Sequence, residues 1–452
     1  MLSGPHRATT LALTTLVTLV AFEALATATA MPVAARELGG VRSYGLVFSL
    51  FLTTSLLGIV AAGGWSDARG PRGPMLAGLT LFAGGLVLSG TASSFGVLLA
   101  GRAVSGLGGG LLTVSIYVVV AGAYPEALRP RVFGVLSSAW VLPSVLGPPV
   151  TGWLATQVSW RAVFLVAVPL TAVPVPALLR RLRPGGRAGP GGAGDADLVS
   201  GRLVRGLALA VGAVAVQWGL QGAGGLPAPP VVVAGAVLVV AALPGLLPAG
   251  ALRLARGLPS VVVVRGLFTA AFFGAETFVP LMLVTERDLS PALAGLTLTA
   301  GAVGWSAGSW LQSAGRLPVG RPTLLWVGGL VIGVSVLLLA VTPFGGVPPW
   351  LVAPMWSLGG LGMGLGMSST SVLTLDLSEP GAQGRNSAGL QVSDALGGVL
   401  GIGVAGAVFA VLHDPGGSDA GTFALIWLVL GVVGLASAPV ALRVRRPAVQ
   451  QA

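Results

Sequence analysis

Fourteen long apolar runs leave this chain few folds to choose from. They fall at about 10–32, 44–64, 75–94, 97–121, 132–154, 160–180, 203–222, 230–250, 258–284, 291–312, 322–342, 349–375, 386–412 and 421–442. About 20 apolar helical residues cross the roughly 30 Å hydrocarbon core of a bilayer. Backbone polar groups at that depth must be paired within the protein, which allows helices or closed barrels. These runs are continuous rather than alternating, which argues against a barrel. Only 9% of the 452 residues are charged, against about 25% in soluble domains. The expected fold is an all-α polytopic membrane protein.

The placement of arginine sets the expected orientation. All 25 basic residues are Arg, and the net charge is +11. With the N-terminus in the cytoplasm, inner segments and span ends hold most of them, including Arg7, Arg69, Arg72, Arg129, Arg131, Arg180, Arg181, Arg253 and Arg443. The outer ones hold Arg36, Arg42, Arg161 and Arg287. This follows the positive-inside rule and puts both termini in the cytoplasm of a cell-membrane protein. Losing one weak span would invert the second half, so 203–222 and 230–250 are both spans or neither. Their length favours fourteen over twelve. The first run, with Arg7 before it and Ala28-Thr29-Ala30 near its end, resembles a signal peptide. Its length, and the absence of a polar mature domain after it, identify it as a retained span.

The charge is explained by loops facing anionic headgroups rather than by nucleic acid. There are no cysteines and two histidines, so thiolate and His/Cys metal centres are not expected. No phosphate-binding loop is present, which argues against an ATP-driven pump. An enzyme has no support. The expected partners are a small-molecule substrate, protons and lipid. No cofactor and a monomeric state are expected.

Glu23 lies in the middle of the first run. A carboxylate at that depth costs roughly 2.5–3.5 kcal/mol on insertion scales, so a chain that keeps one usually uses it. Arg102 lies within the fourth run, in Arg102-x3-Gly106-x-Gly108-x-Gly110. An Arg there either meets a carboxylate, lines a wet cavity or snorkels to the headgroups. Glu276 in the ninth run is read as a cavity group in preference to one at the outer mouth. For Asp394 in the thirteenth run, a cavity role and a place near the cytoplasmic surface both stand. Arg265 is read as a snorkelling residue. Trp140, Trp218, Trp305 and Trp310 are candidates for stacking on a lipophilic compound, though lipid contact is the commoner role.

Three motifs carry a family resemblance. The loop Gly63-x3-Asp67-Ala68-Arg69-Gly70-x-Arg72 resembles the signature loop of the major facilitator superfamily, with the basic residue displaced by one place to Arg69. The Arg102 glycine stretch resembles that family's fourth-span motif. Gly134-x8-Pro143-x3-Gly147-Pro148-x2-Thr151-Gly152 is similar to the antiporter motif of its drug-exporting branches, with Pro143 and Thr151 in place of glycines. Glu23, Ala30 and Pro32, and Trp160-Arg161-x2-Phe164 with Pro169, look like the fourteen-spanner drug:proton antiporters.

The second half echoes the first. Trp356-x3-Gly360-x-Gly362 repeats the Arg102 stretch with Trp for Arg, and Gly308-x3-Gln312 repeats Gly63-x3-Asp67. The polar chemistry is therefore expected in the N-terminal half. The resemblance implies two six-helix bundles, 1–180 and 258–446, joined by a connector and two linking helices over 181–257, with a tail at 447–452. The Gly-, Pro- and Arg-rich stretch Arg180–Arg205 is read as a flexible cytoplasmic connector. The implied function is proton-coupled export of small lipophilic or cationic compounds by alternating access. Glu23 would be the proton or substrate site, with Glu276, Arg102 and Asp394 as further candidates. The Asp67–Arg72 loop would be the conformational latch. A symporter or facilitator for a specific solute is the alternative, and a transport-free sensor or scaffold is a more distant one.

Overall fold

The computed structural model describes residues 6–125, 128–181, 196–221, 228–313, 318–379 and 382–444. Most of the connector expected at Arg180–Arg205 lies outside them. The described residues are helical with no strand. They divide into two compact units, 1–41 with 50–210, and 42–49 with 211–452.

The first part of the chain forms α1 (Arg7–Glu37), α2 (Tyr44–Arg69), α3 (Arg72–Gly90), α4 (Phe95–Ala123), α5 (Arg129–Ser138), α6 (Val141–Leu154), α7 (Trp160–Leu165), α8 (Ala167–Ala172), α9 (Val175–Arg181) and α10 (Ala196–Gln221). The remainder forms α11 (Ala228–Ala242), α12 (Leu258–Thr285), α13 (Pro291–Ser313), α14 (Arg321–Leu339), α15 (Val352–Asp376), α16 (Gln383–Leu412) and α17 (Ala420–Leu442). Helices α2 and α10 both cross the division between units.

Each of the fourteen apolar runs contains helix. Among the described residues, nine helical stretches are long and apolar enough to cross a membrane. One of them, Leu142–Arg180, takes in α6 to α9. The expected fifth span is broken by a turn at Ala139–Trp140. The chain turns again at Ser159, whose extended backbone and hydroxyl cap α7 by accepting the Arg161 N–H at 3.2 Å.

Glycine sets how closely the helices pack. A Cβ at Gly106 or Gly110 of α4 would collide with the Phe51 or Ser55 carbonyl of α2, and one at Gly108 with the Phe82 backbone of α3. In the second unit, Gly360 and Gly364 of α15 face the Gly301 and Trp305 carbonyls of α13. Gly362 faces the Gly328 carbonyl of α14. Alternate glycines thus let one helix pack against two neighbours at backbone distance, as in small-residue membrane interfaces. These contacts correct the repeat read from the loops. Gly58 meets the Leu107 carbonyl and Gly308 the Leu361 carbonyl, so Gly308 answers to Gly58 rather than to Gly63.

Candidate functional site

In the first unit, α1 carries Glu23 inward and α4 brings Arg102 to it. Both side chains are 2% exposed, and Arg102 Nη1 donates to Glu23 Oε1. Thr27, one turn along α1, donates to the same oxygen at 3.1 Å. The guanidinium lies over the Phe51 ring, 4.4 Å from its centroid. Arg102 is therefore a paired interior residue and not a snorkelling one. Glu23 Oε2 is buried with no hydrogen-bond partner among the described residues. A buried ion pair is stable only when Coulomb attraction and hydrogen bonds offset the lost hydration. One carboxylate oxygen here lacks that support.

Another face of α1 borders an apolar cleft of about 330 Å³. Thr14, Thr15, Thr18 and Phe22 line it from α1, and Pro143 and Gly147 from α6. Two positions of the antiporter motif thus face this cleft. Gly147 also approaches Leu25 of α1. Pro148 lacks the N–H that would bond one turn back; separately, the Thr151 hydroxyl donates to the Gly147 carbonyl at 2.8 Å. Gly152 is buried, and the side-chain surroundings of Gly134 lie outside the described residues.

The loop between α2 and α3 turns at Gly70, whose φ of 77° needs glycine. Its N–H closes the end of α2 on the Ser66 carbonyl at 2.8 Å. Arg69 is exposed and Arg72 half-buried, and the Asp67 side chain lies outside the described residues. Among the described residues of this loop, none bonds to Glu23.

Sequence reasoning missed two clusters. Arg265 of α12 does not snorkel. Its Nε donates to Asp394 Oδ1 of α16 at 2.7 Å and its Nη2 to Oδ2 at 3.3 Å. Nη1 reaches the Met367 carbonyl and the Thr370 hydroxyl of α15, each at 3.1 Å, and Thr269 donates to Asp394 at 2.6 Å. The second unit therefore keeps a part-buried charged cluster of its own, beside the expected bias of polar chemistry toward the N-terminal half. Trp356 replaces Arg at one position, while the charge reappears on α12. The second cluster joins Glu37 to Arg161 at 2.6 Å and to the Trp160 indole at 2.8 Å. The Trp160-Arg161 motif was visible, but nothing marked Glu37 as its acceptor.

Glu276 of α12 is partly exposed. The Trp356 indole N–H of α15 is buried with no hydrogen-bond partner among the described residues. Glu23, Glu276 and Asp394 thus occupy three separate environments.

The sequence profile of the Major Facilitator Superfamily matches residues 11–402. A probable multidrug-efflux transporter of Mycobacterium tuberculosis is 29% identical over 416 residues, 87% of this chain and 85% of that one. The multidrug transporter protein MdtP of Bacillus subtilis is 26% identical over 90% of this chain and 76% of its own. A crystal structure of a POT family transporter with 5-aminolevulinic acid aligns with a TM-score of 0.73 at 15% identity, over 96% of this chain and 95% of that one. A nucleoside transporter aligns at 0.71 and 12% identity, over 97% and 100%. At such identities the solved structures establish the fold alone. The profile covers most of the chain, and the protein belongs to the Major Facilitator Superfamily.

Proposed function

We propose that the protein exports small lipophilic or cationic compounds from the cell in exchange for protons, as a fourteen-spanning antiporter. In this reading two six-helix bundles and two linking helices lie in the cell membrane, with both termini in the cytoplasm. The sealed Glu23–Arg102 pair carries the proposal. The multidrug-efflux name of the Mycobacterium tuberculosis relative supports the direction of transport.

A proton and the guanidinium compete for one carboxylate. Protonation of Glu23 removes the charge that holds Arg102 and leaves a neutral acid that is cheaper to keep in a dry interior. A ligand or proton shifts a conformational equilibrium only through its differential affinity for the two states. The pair supplies that difference when the ionised form is stable in one access state and the protonated form in the other. The Thr-lined cleft beside α1 offers an apolar surface to the compound. The Gly70 turn, with Arg69 and Arg72, would latch one state as the family resemblance implies.

Everted vesicles test this. Substrate addition to an antiporter releases protons from the lumen, whereas a symporter moves them the other way. Glu23→Gln is expected to abolish coupled proton movement while the protein still reaches the membrane. Undiminished export and proton release in that variant would remove Glu23 from the mechanism.

A further inference from the structure

We propose that the turn between α16 and α17 is a pH-sensitive clip, closed by protonation of His413, that ties the ends of α12, α16 and α17 together. The side of the membrane it faces rests on the topology proposed above; the clip itself does not.

His413 directly follows α16 and Asp419 directly precedes α17, with side chains 14% and 7% exposed. His413 Nδ1 and Asp419 Oδ2 lie 2.6 Å apart. Asp419 Oδ1 accepts the Asp414 N–H at 3.1 Å, which folds the turn back on itself. Glu286, at the end of α12, reaches the same turn. Its Oε2 accepts from the Ser418 hydroxyl and its Oε1 from the Asp419 N–H at 3.1 Å. The imidazole lies flat on Phe409 of α16, 5.0 Å between centroids at 18°. Phe409 in turn packs on Phe278 of α12 and Phe423 of α17. One hydrogen-bond chain and one ring cluster thus join the same three helices, and His413 belongs to both.

The charge around the imidazole is one-sided. Glu286, Asp414 and Asp419 converge on the turn, and Asp288 follows two residues after Glu286. Arg287 is turned to the Phe344 and Val347 carbonyls, and Arg42 to the Ala410 carbonyl at 2.8 Å. Within 413–419, His413 is the sole basic residue. Histidine is the side chain whose charge ordinarily changes between about pH 5 and 8. A neutral imidazole gives Asp419 an ordinary hydrogen bond. An imidazolium gives it a charge-assisted one, about twice as strong. Acid therefore firms the bond to Asp419, whose backbone N–H carries the Glu286 contact, and alkali loosens it.

The first unit shows what a fixed version looks like. The glycine contacts match α2 with α13 and α4 with α15, so chain order matches α1 with α12 and α7 with the start of α17. Glu37 ends α1 as Glu286 ends α12, and it too holds the chain entering the later helix, through Arg161 and the Trp160 indole. Arginine stays charged at every relevant pH. The two clips share an acid at the same place in the repeat and differ in the cation, one permanent and one titratable. In the proposed topology both face outside, so external acid stiffens the outer end of the second unit.

The chain has no cysteine, so one introduced thiol reports on the turn. Gly416 is exposed, and a Cβ there meets Asp414 Oδ1 at 3.8 Å, an ordinary contact. A nitroxide on Gly416→Cys is read by electron paramagnetic resonance in the purified full-length protein, at about pH 5.5 and about pH 8.5. The label is expected to be immobilised in acid and several-fold more mobile in alkali. Adding His413→Gln should leave it mobile at both values, and adding His413→Arg should leave it immobilised at both. A label on Val158→Cys, beside the arginine clip, should not respond. Equal mobility of the Gly416 label at the two values, or a response that survives either His413 substitution, overturns the clip and spares the efflux reading. A membrane-impermeant maleimide reads the side separately. Labelling of Gly416→Cys in intact cells supports the outward placement. Labelling only in everted vesicles overturns the proposed topology and spares the clip.

Discussion

Glu23 and Arg102 meet at 2% exposure each, and among the described residues Thr27 donates a further bond to the acid. Arg265 and Asp394 stand 10% and 27% exposed and are tied to Met367, Thr370 and Thr269. The first pair is dry, and its Glu23 Oε2 has no hydrogen-bond partner among the described residues. The second is wetter and fully engaged. A dry pair has the more to lose from removal of one member, and the more to gain from neutralisation. The second pair clips α12, α15 and α16 together, and its many hydrogen bonds make any one of them less decisive. Neutralising one member therefore changes the first pair more than the second.

The largest expected effect follows from that contrast. Arg102→Ala leaves the buried Glu23 carboxylate with the Thr27 hydroxyl but without its cation, and losses of about 3–5 kcal/mol are typical when one member of a buried pair is removed. Thermal unfolding in detergent reads the loss. The double variant Glu23→Gln with Arg102→Ala should recover a large part of it, because no charge is then stranded. If the double variant is as unstable as the single one, the packing of Arg102 over Phe51 matters more than its charge.

That pair was half legible in the sequence. Glu23 and Arg102 stood out because each is a charge in an apolar run, and the glycines after Arg102 pointed to close packing. Nothing in the spacing told that the two side chains meet, since helix rotation is set by packing on other helices. Arg265 and Asp394 were seen singly, and Arg265 was misjudged for that reason. Each lies near a span end, where a snorkelling Arg and a surface Asp look the same as a bonded pair. That the apolar runs are helical was legible, because helix length and hydropathy are local properties, though nine stretches among the described residues are long and apolar enough to cross a membrane. The break at Ala139–Trp140 was not, because the run stays apolar through it.

The glycine repeat gives the next effect in size. Gly110→Ala forces a Cβ against the Ser55 carbonyl, and Gly364→Ala forces one against the Trp305 carbonyl. Backbone neighbours cannot rotate away, so each is expected to cost about 1–3 kcal/mol. Equal losses in the two variants would confirm that α4 and α15 are packed alike although Arg102 and Trp356 differ. A neutral Gly364→Ala would break the correspondence on which the comparison of the two units rests.

Asp394→Asn should cost less than Arg102→Ala in the same assay. The amide oxygen still accepts from Thr269 or Arg265, and the guanidinium keeps Met367 and Thr370. A loss of about 1–2 kcal/mol fits a hydrogen-bonded charge, reduced because the carboxylate is more than a quarter exposed and water screens it. A loss matching that of Arg102→Ala would mean that exposure does not distinguish the two pairs.

The smallest effect comes from the third ion pair, Glu37 with Arg161, whose side chains are 50% and 33% exposed. Its geometry is as good as that of the others, at 2.6 Å, with the Trp160 indole and the Ala92 carbonyl completing the cluster. Solvent nevertheless screens it, and exposed pairs contribute about 0.2–1 kcal/mol. Glu37→Gln should therefore lower the unfolding temperature slightly, and the difference from wild type should shrink in high salt, where the screening length falls to about 3 Å at 1 M. The Arg102→Ala loss should not shrink, because salt does not reach a 2% exposed pair. Measuring both variants at low and high salt places the three pairs on one scale of burial. A salt-insensitive Glu37 loss, or a salt-sensitive Arg102 loss, would show that exposure is a poor guide to how these charges are held.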